Sequence, residues 1–412
     1  MPGSTVWAFN VHDNPFDFDR PCDPPIEYVE VAVTSEHPLP TSHRDHVALY
    51  TVHDGGAIPR EFRFRPDGSP LVEPTQLEKL FVEQRDWGAN VVAADLASAL
   101  ALPGYARCRV ARVLLDFNRF PGSTPANTTD GLESLAIGRL YAEALNHQQK
   151  TVLLESYYDP ISDALEKVLG DKLINIAIHT YDETHASATK RADLSIVSLP
   201  LSYQREARMT FGVFDPLYPD DLAESTCSRI LRDRISLDLE RAGFRVSHNH
   251  PYSMPDGSIE VRAQVWYFFR YLRRRFEAVH PDTILTPAYM LVWTMLLDTN
   301  LRLAEAEALR SFLHRFRKVP GEQLAGMTAG LEAYRHVRDF MRDNDIAMDY
   351  RRAADRPSSL GLEVRKDLVC TVDPDTGRPQ KPSQKQKETA EQIARTIAAA
   401  IATYLDTDRT QP

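Results

Sequence analysis

Polar residues stand at the ends of four strand-like runs in this sequence, and their types suit catalysis. His53 and Glu61 follow the first run, and the segment DFNR at 116–119 closes the second. The segment HTYD at 179–182 follows the third run, and EVRKD at 363–367 belongs to the last. Because the ligands of open α/β sheets bind beyond the carboxyl ends of the strands, we expect these side chains to share one site.

Two histidines and a carboxylate on separate loops form the ligand set of a catalytic zinc ion, which keeps its fourth position open for water. His53, Glu61 and His179 supply this set, and we expect one Zn²⁺ per chain. A further carboxylate can then act as a general base toward the activated water. Glu363 is our candidate for that role.

Asn118 and Arg119 suit the recognition of a substrate carboxylate, because a guanidinium binds a carboxylate in a two-pronged fork and the amide adds an oriented donor. These residue types also have plainer interpretations. An Asn-Arg pair can cap a strand and bridge to an acid, and a histidine after a strand commonly caps it or packs in the core. His185, His248 and His250 are alternative ligands by residue type alone.

The segments that must position these residues alternate between short apolar, β-branched runs and longer helical patterns. The predicted strands are 46–52, 108–117, 172–179, 192–199, 208–214, 244–249 and 361–369. The predicted helices of this part are 75–84, 89–100, 131–148, 150–169, 221–242 and 384–405. Strands separated by helices predict an α/β fold with a mixed central sheet flanked by helices.

The composition and the pattern of predicted strands and helices divide the sequence into three regions. Residues 1–44 are rich in Pro and Asp and are typical of an extended arm. Residues 261–350 pass without a convincing strand and predict an all-helical insertion. The α/β domain then comprises 45–260 plus 351–412. The insertion is placed to act as a lid, a surface for oligomer formation or a docking site for a larger substrate.

The composition excludes several classes of partner. The 412 residues carry a net charge of −10 with a pI near 5.7, so the whole chain lacks the basic footprint of a nucleic-acid-binding protein. No apolar run approaches the roughly 18 residues that span a membrane. The four cysteines form no CxxC pair and the N-terminus lacks a signal-peptide pattern. We therefore expect a cytoplasmic protein without nucleic-acid or membrane partners.

Several segments together resemble the N-formylglutamate amidohydrolase family. They are VHDGGAIPREF at 52–62, RDWGAN at 85–90, ARVLLDFNRFPG at 111–122, ESYYDPISDALEKVL at 155–169, AIHTYD at 177–182, NHPYS at 249–253 and LEVRKDLV at 362–369. The resemblance implies a fold like that of the zinc carboxypeptidases, one zinc ion, and hydrolysis of the amide of an N-acylated acidic amino acid. The substrate would be a small molecule or a peptide with a free carboxylate.

Residue by residue, the resemblance assigns roles to named positions. It makes His53, Glu61 and His179 the zinc ligands. Asn118 and Arg119 become the carboxylate clamp, and Arg191 becomes a further substrate contact. It gives Glu363 the role of general base, Arg365 that of a group that holds substrate or stabilises the oxyanion, and Asp86 a supporting role behind the metal.

Two questions stay open at this stage. The segment IEVRAQV at 259–265 repeats the pattern around Glu363, so Glu260 is an alternative base. Glu363 fits better because Asp367, a polar loop and a closing amphipathic helix follow it.

Asp54 replaces the family's usual serine after the first histidine, which leaves the choice of substrate open. Alternative functions are a carboxypeptidase-like or peptide-tailoring hydrolase and an inactive member that serves as a binding protein.

Overall fold

Seven short runs of mainly apolar residues form one mixed sheet in the computed structural model of the chain. The residues described are 18–20, 22–33, 41–123, 135–184, 188–207, 214–314, 320–373, 375–377 and 379–408. The strands are β1 Ile26–Glu30, β2 Val47–Thr51, β3 Gly104–Cys108, β4 Ile174–Tyr181, β5 Leu194–Val197, β6 Val246–His248, β7 Ser358–Arg365, β8 Thr371–Val372 and β9 Pro379–Gln380. The first seven form the sheet in the order β1-β3-β2-β4-β7-β5-β6, and β8 pairs with β9.

The central strands of the sheet are parallel and buried. β3, β2, β4 and β7 all run the same way, and β4 pairs with β7 from Ile174↔Ser358 to Tyr181↔Arg365. β1 and β5 run antiparallel to their neighbours β3 and β7. Every residue of β2 and β4 is buried, as expected for strands that are covered on both faces. The predicted mixed central sheet is confirmed.

Helices flank this sheet. They are α1 Thr41–Arg44, α2 Pro74–Gln84, α3 Ala89–Ala99, α4 Arg139–Ala144, α5 His147–Leu153, α6 Asp159–Leu169, α7 Leu201–Glu206, α8 Arg229–Arg241, α9 Ile259–Val279, α10 Pro287–Leu297, α11 Ala304–Leu313, α12 Gly321–Asp343, α13 Ile346–Arg352 and α14 Gln384–Thr403. α14 packs against α3 and α8, while α9 contacts α6 and β7. α14 begins with a capping box between Ser383 and Gln386, which fixes its start beside the predicted position. None of the helices in the described ranges combines the length and apolarity needed to cross a bilayer.

The described residues between β6 and β7 contain five successive helices, α9 to α13, with an apolar core of their own. Phe276 lies at its centre, fully buried, with its ring centroid 5.7 Å from that of Trp293 and 5.2 Å from that of Phe340. The apolar and aromatic spacing that predicted helix in this part of the sequence therefore reflects packing between helices. The division of the chain into separate domains stays a prediction.

Two segments differ from the predicted secondary structure, and other predicted residues lie outside the described part of the chain. The strand predicted at 108–117 is wrong beyond Cys108, because the chain leaves the sheet there and buries Val110, Leu114 and Phe117 in an irregular loop. Part of the predicted N-terminal arm is an edge strand, β1, paired with β3. The predicted strand 208–214 and His185 fall outside the described residues, apart from Phe214, as does much of the arm.

The packing of the helical core predicts how a substitution there changes the free energy of unfolding. Phe276→Ala removes a fully buried ring, and we expect the free energy of unfolding to fall by about 3–5 kcal/mol. Val279→Ala, on the same helix but at a side chain that is 61% exposed, should change it by less than about 0.5 kcal/mol. Urea unfolding followed by circular dichroism compares the two variants. Equal effects would show that this packing does not stabilise the chain.

Candidate metal centre

Three buried side chains converge at the carboxyl ends of β2 and β4. His53, Asp86 and His179 each offer one ligand atom, and these atoms lie within 4.8 Å of one another. Asp86 Oδ2 lies 2.8 Å from Nδ1 of His179 and 3.5 Å from Nδ1 of His53. The backbone N–H of Asp86 also donates to the carbonyl of His53 at 3.1 Å, which fixes the loop before α3 against the end of β2.

The turn after His53 depends on its first glycine. A side chain at Gly55 would place its Cβ 2.5 Å from the carbonyl oxygen of Val110, closer than any real contact. Gly55 therefore allows the turn to lie directly on the backbone that leads to DFNR. The sequence HDGG brings the first histidine and the DFNR segment together for this steric reason.

A second layer of polar groups holds the outer side of both imidazoles. Asp116 Oδ1 lies 2.8 Å from Nε2 of His53, and Asn118 Nδ2 lies 3.4 Å from Nε2 of His179. Arg112 bridges the two aspartates, with Nε 3.3 Å from Asp116 and Nη1 3.6 Å from Asp86. Carboxylates and amides in this position typically fix the ring orientation and tautomer of ligating histidines.

The pKa values of the cluster show how strongly its members interact. Burial by itself would raise the pKa of Asp86, but the contacts with His179 and His53 hold it well below the usual range. Burial would lower the pKa of His179, yet the hydrogen bond and the charge of Asp86 raise it to about 9. A metal ion that binds here must displace a proton from His179, because only the free imidazole nitrogen is a ligand.

The cluster opens into a cavity of about 440 Å³. Glu363 and Glu260 both line it, so the two candidates for the general base face the same space. Glu260 accepts a hydrogen bond of 2.8 Å from the hydroxyl of the fully buried Tyr50. Burial raises the pKa of Glu363, with the negative charge of Asp86 adding to the effect and His179 opposing it. Within the described residues, no group forms a hydrogen bond with the Glu363 carboxylate.

Arg191 also lines the cavity and carries a buried positive charge. It is 6% exposed and lies between two aromatic rings, with its guanidinium carbon 5.1 Å from the centroids of both Tyr181 and Tyr252. Nη2 donates to the Tyr252 hydroxyl at 2.6 Å and Nη1 to the Asp182 carbonyl at 3.1 Å, while Nε has no partner within the described residues. No carboxylate among them neutralises this arginine, so it can bind an anionic ligand.

Other predicted site residues lie elsewhere. Glu61 is not beside the two histidines, because it sits in a single 3₁₀ turn after Pro59 and points to the surface, where it accepts from the Tyr157 hydroxyl at 3.1 Å. Arg365 forms ion pairs with Asp193 at 2.9 Å and Asp367 at 2.6 Å and is not part of the cavity wall. His248 and His250 are exposed on or beside the edge strand β6.

The DFNR segment divides between the metal cluster and the cavity. Arg119 lines the cavity, with its Nε 3.8 Å from Asp116, and burial lowers its pKa. Asn118 lines it as well but contacts His179. Sequence reasoning assigned no role to Arg112 or Asp116 individually, and it gave Asp86 only a supporting one. No helix or strand periodicity could have indicated the pairing of Arg112 with Asp116, because the loop that carries them is irregular.

The residues present fit a divalent metal ion. Their donor set of two imidazole nitrogens and one carboxylate oxygen is that of catalytic zinc sites. Nδ1 of His53 is buried and has no hydrogen-bond partner among the described residues, which is costly unless a ligand is bound there. Among the described residues, Asp86 and not Glu61 is the carboxylate that lies beside the two histidines.

Comparisons with known proteins identify the family of the chain. The family model FGase, N-formylglutamate amidohydrolase, matches residues 47–278. No curated protein matches the chain. A solved N-formylglutamate amidohydrolase from Ralstonia eutropha JMP134 is 14% identical, with a TM-score of 0.46 and coverage of 92% of this chain and 97% of that chain. The gene product Atu2144 from Agrobacterium tumefaciens is 13% identical, with a TM-score of 0.43 and coverage of 92% and 96%.

The geometry predicts which acid holds the metal. In Asp86→Asn we expect zinc affinity to fall by more than the roughly 10–100-fold that loss of a supporting residue costs, because a ligand oxygen is lost. Glu61→Gln should bind zinc as the wild type does. A competition titration with a chromophoric chelator measures both, with elemental mass spectrometry giving the stoichiometry. Loss of zinc in Glu61→Gln with retention in Asp86→Asn would restore the sequence-based assignment.

Proposed function

The chain belongs to the N-formylglutamate amidohydrolase family, and from that premise we propose that it is a zinc-dependent hydrolase. It cleaves the amide bond of an N-acylated amino acid or a related substrate that carries a free carboxylate. The observation that carries the proposal is the buried cluster of His53, Asp86 and His179, which opens into a cavity shared with Glu363.

His53, Asp86 and His179 would hold the ion in this proposal, with Asp116 and Asn118 behind the two histidines. A bound zinc ion polarises the amide carbonyl and lowers the pKa of a water molecule toward 7. With Nδ1 of His179 toward the metal, Nε2 would carry the proton. Asn118 Nδ2 lies 3.4 Å from Nε2, so the Asn118 amide would turn to present Oδ1, which has no partner among the described residues, as the acceptor.

Glu363 acts as the general base. It takes a proton from the attacking water and later gives it to the leaving amine nitrogen, so one carboxylate serves both steps. Its raised pKa suits this exchange, because a base is most effective when its pKa is near the working pH. Glu260 is the less suitable base, since one of its oxygens already accepts a hydrogen bond from Tyr50.

Arg191 anchors the free carboxylate of the substrate. Its guanidinium is held in place by two aromatic rings and two hydrogen bonds, yet no acid in the described parts of the chain neutralises it. Arg119 shares its charge with Asp116 and is a second cation on the cavity wall. We assign the main anchoring role to Arg191 because a preorganised, unpaired guanidinium binds a carboxylate more strongly.

Hydrolysis itself is the first test. The zinc-loaded chain should release free amine from members of a panel of N-acyl amino acids and short acylated peptides, as measured with a fluorogenic amine reagent. Removal of the metal with a chelator should abolish the release, and added zinc should restore it. A zinc-loaded chain that cleaves no amide in the panel would contradict the proposed reaction.

Glu363→Gln tests the identity of the base. The amide cannot accept a proton, so we expect kcat to fall by roughly 10²–10⁴-fold while zinc binding is retained. Glu260→Gln is the matched variant on the same cavity, and its kcat should fall much less. The decisive measurement is kcat beside zinc stoichiometry for both variants. The opposite order of effects would transfer the role to Glu260.

Arg191→Lys tests the carboxylate anchor. Lysine keeps the charge but loses the fork of donors and the planar stack between Tyr181 and Tyr252. A charged hydrogen bond contributes about 1.5–3 kcal/mol, so we expect KM to rise roughly 10–100-fold with kcat less affected. Arg245→Lys, a change at an arginine that is 60% exposed, is the control. Equal KM values for the two variants would remove Arg191 from the substrate site.

A further inference from the structure

We infer that the end of the cavity beside Gly361 is an acyl pocket, which accepts an apolar acyl group larger than formyl. The inference rests on the proposed function and specifies its substrate class. In the reaction, water adds its oxygen to the acyl carbon, the C–N bond breaks, and the amine leaves with a proton. The products are a carboxylic acid with an apolar chain and a free amino acid.

The register of β7 places this pocket next to the reacting groups. Gly361 precedes Glu363 by two residues, so both face the same side of the sheet, about 7 Å apart along the strand. Val197 on β5 is the direct cross-strand partner of Gly361. Val197 and Met254 are buried, at 5% and 3% exposure, and both line the cavity with Leu201 and Pro255.

The opposite end of the cavity holds the cationic anchor. β5 runs antiparallel to β7, with Val197 opposite Gly361 and Leu194 opposite Val364. Arg191 precedes β5, so it lies toward the carboxyl end of β7, on the far side of Glu363 from Gly361. A substrate whose carboxylate binds Arg191 and whose amide lies at Glu363 therefore directs its acyl group toward Gly361, Val197 and Met254.

Gly361 is the residue that leaves this space open. A glycine inside a strand weakens it and commonly marks a place where a ligand approaches the backbone. The backbone of Gly361 is extended and fully within β7, so its conformation does not require glycine. A Cβ atom there would meet Val197 Cβ at 3.5 Å and Met254 Cε at 3.8 Å, which is ordinary contact. Alanine fits at this position, and a larger side chain takes the room of the acyl group.

The cavity is larger than a formyl derivative needs. Its volume of about 440 Å³ falls within the roughly 300–1,000 Å³ of cavities that enclose drug-sized ligands. Two serines line the cavity near this end, and both already have partners: Ser258 accepts a hydrogen bond from the N–H of Val261 at the start of α9, and Ser253 donates one to Gln204 Oε1. Apolar contact therefore determines which group binds there, and each buried methylene should strengthen binding about fourfold.

Calorimetry on the zinc-loaded Glu363→Gln chain tests the pocket without turnover. The probes are the N-formyl, N-acetyl and N-butanoyl derivatives of glutamate, leucine and phenylalanine. We expect butanoyl derivatives to bind roughly 10- to 60-fold more tightly than formyl ones of the same amino acid. Adding Gly361→Val should reduce this ratio to near one, and Gly361→Ala should lower it partly. Gly326→Val, at a helix position with open space around it, is the matched control and should leave the ratio unchanged.

The outcomes separate this inference from the proposed function. Equal affinity for formyl and butanoyl derivatives, or a ratio that Gly361→Val and Gly361→Ala leave unchanged, overturns the acyl pocket even if the native chain hydrolyses formyl substrates. A clear butanoyl preference, lost on substitution at Gly361, supports the pocket even if the native chain cleaves none of the amides. Absence of binding by all nine probes overturns it as well. Gly361→Ala keeps the test valid if the valine variant does not fold.

Discussion

The parallel pairing of β4 with β7 is the constraint on which the site depends. It sets His179 opposite Glu363 in the middle of a buried sheet, and the neighbouring β2 ends at Thr51, two residues before His53. A shift of one residue in this register would turn Glu363 to the other face of the sheet, away from the cavity. The close packing of β4 on both faces makes such a shift costly, because each side chain would then meet a space shaped for its neighbour. The geometry of the groups that we propose for catalysis thus follows from the packing of the strands.

The cost of burying charge explains the second layer around the cluster. Asp86 and Asp116 are both removed from bulk water, and a buried carboxylate is stable only when cations and donors surround it. Arg112 contacts both of them, and each also binds a histidine. Asp86 keeps negative charge near Nδ1 of both imidazoles, while Asp116 holds Nε2 of His53. The groups that satisfy these buried charges therefore also leave an arrangement that could bind a metal ion.

The central part of the fold followed from the sequence because apolar, β-branched runs that end in polar residues predict buried parallel strands. His53, His179 and Glu363 come together as a result of that rule, whereas Arg191 precedes β5 and was suggested by the family resemblance. The strand prediction was wrong for 109–117 because the apolar residues of this loop are buried beneath the site outside any strand. Hydrophobicity alone cannot distinguish such a buried loop from a buried strand. Glu61 was a reasonable third ligand by spacing, whereas Asp86 is supplied by a loop before α3 that only tertiary structure brings to β2. Long-range contacts of this kind leave no periodic signal in the chain.

The helical region between β6 and β7 takes a direct part in the cavity. Its first helix, α9, begins at Ile259 with Ser258 as its N-cap, and Ser258 and Glu260 both line the cavity wall. Glu260 is 2% exposed and is tied to Tyr50 on β2, so the start of α9 is fixed to the same strand that carries the chain to His53. Gln264 Nε2, one turn further along α9, donates to Ser359 Oγ on β7 at 3.2 Å. The helix is thus anchored both to β2, which leads to His53, and to β7, which carries Glu363. Packing changes within α9–α13 can therefore alter the cavity without touching the metal cluster, since the first turn of α9 belongs to both.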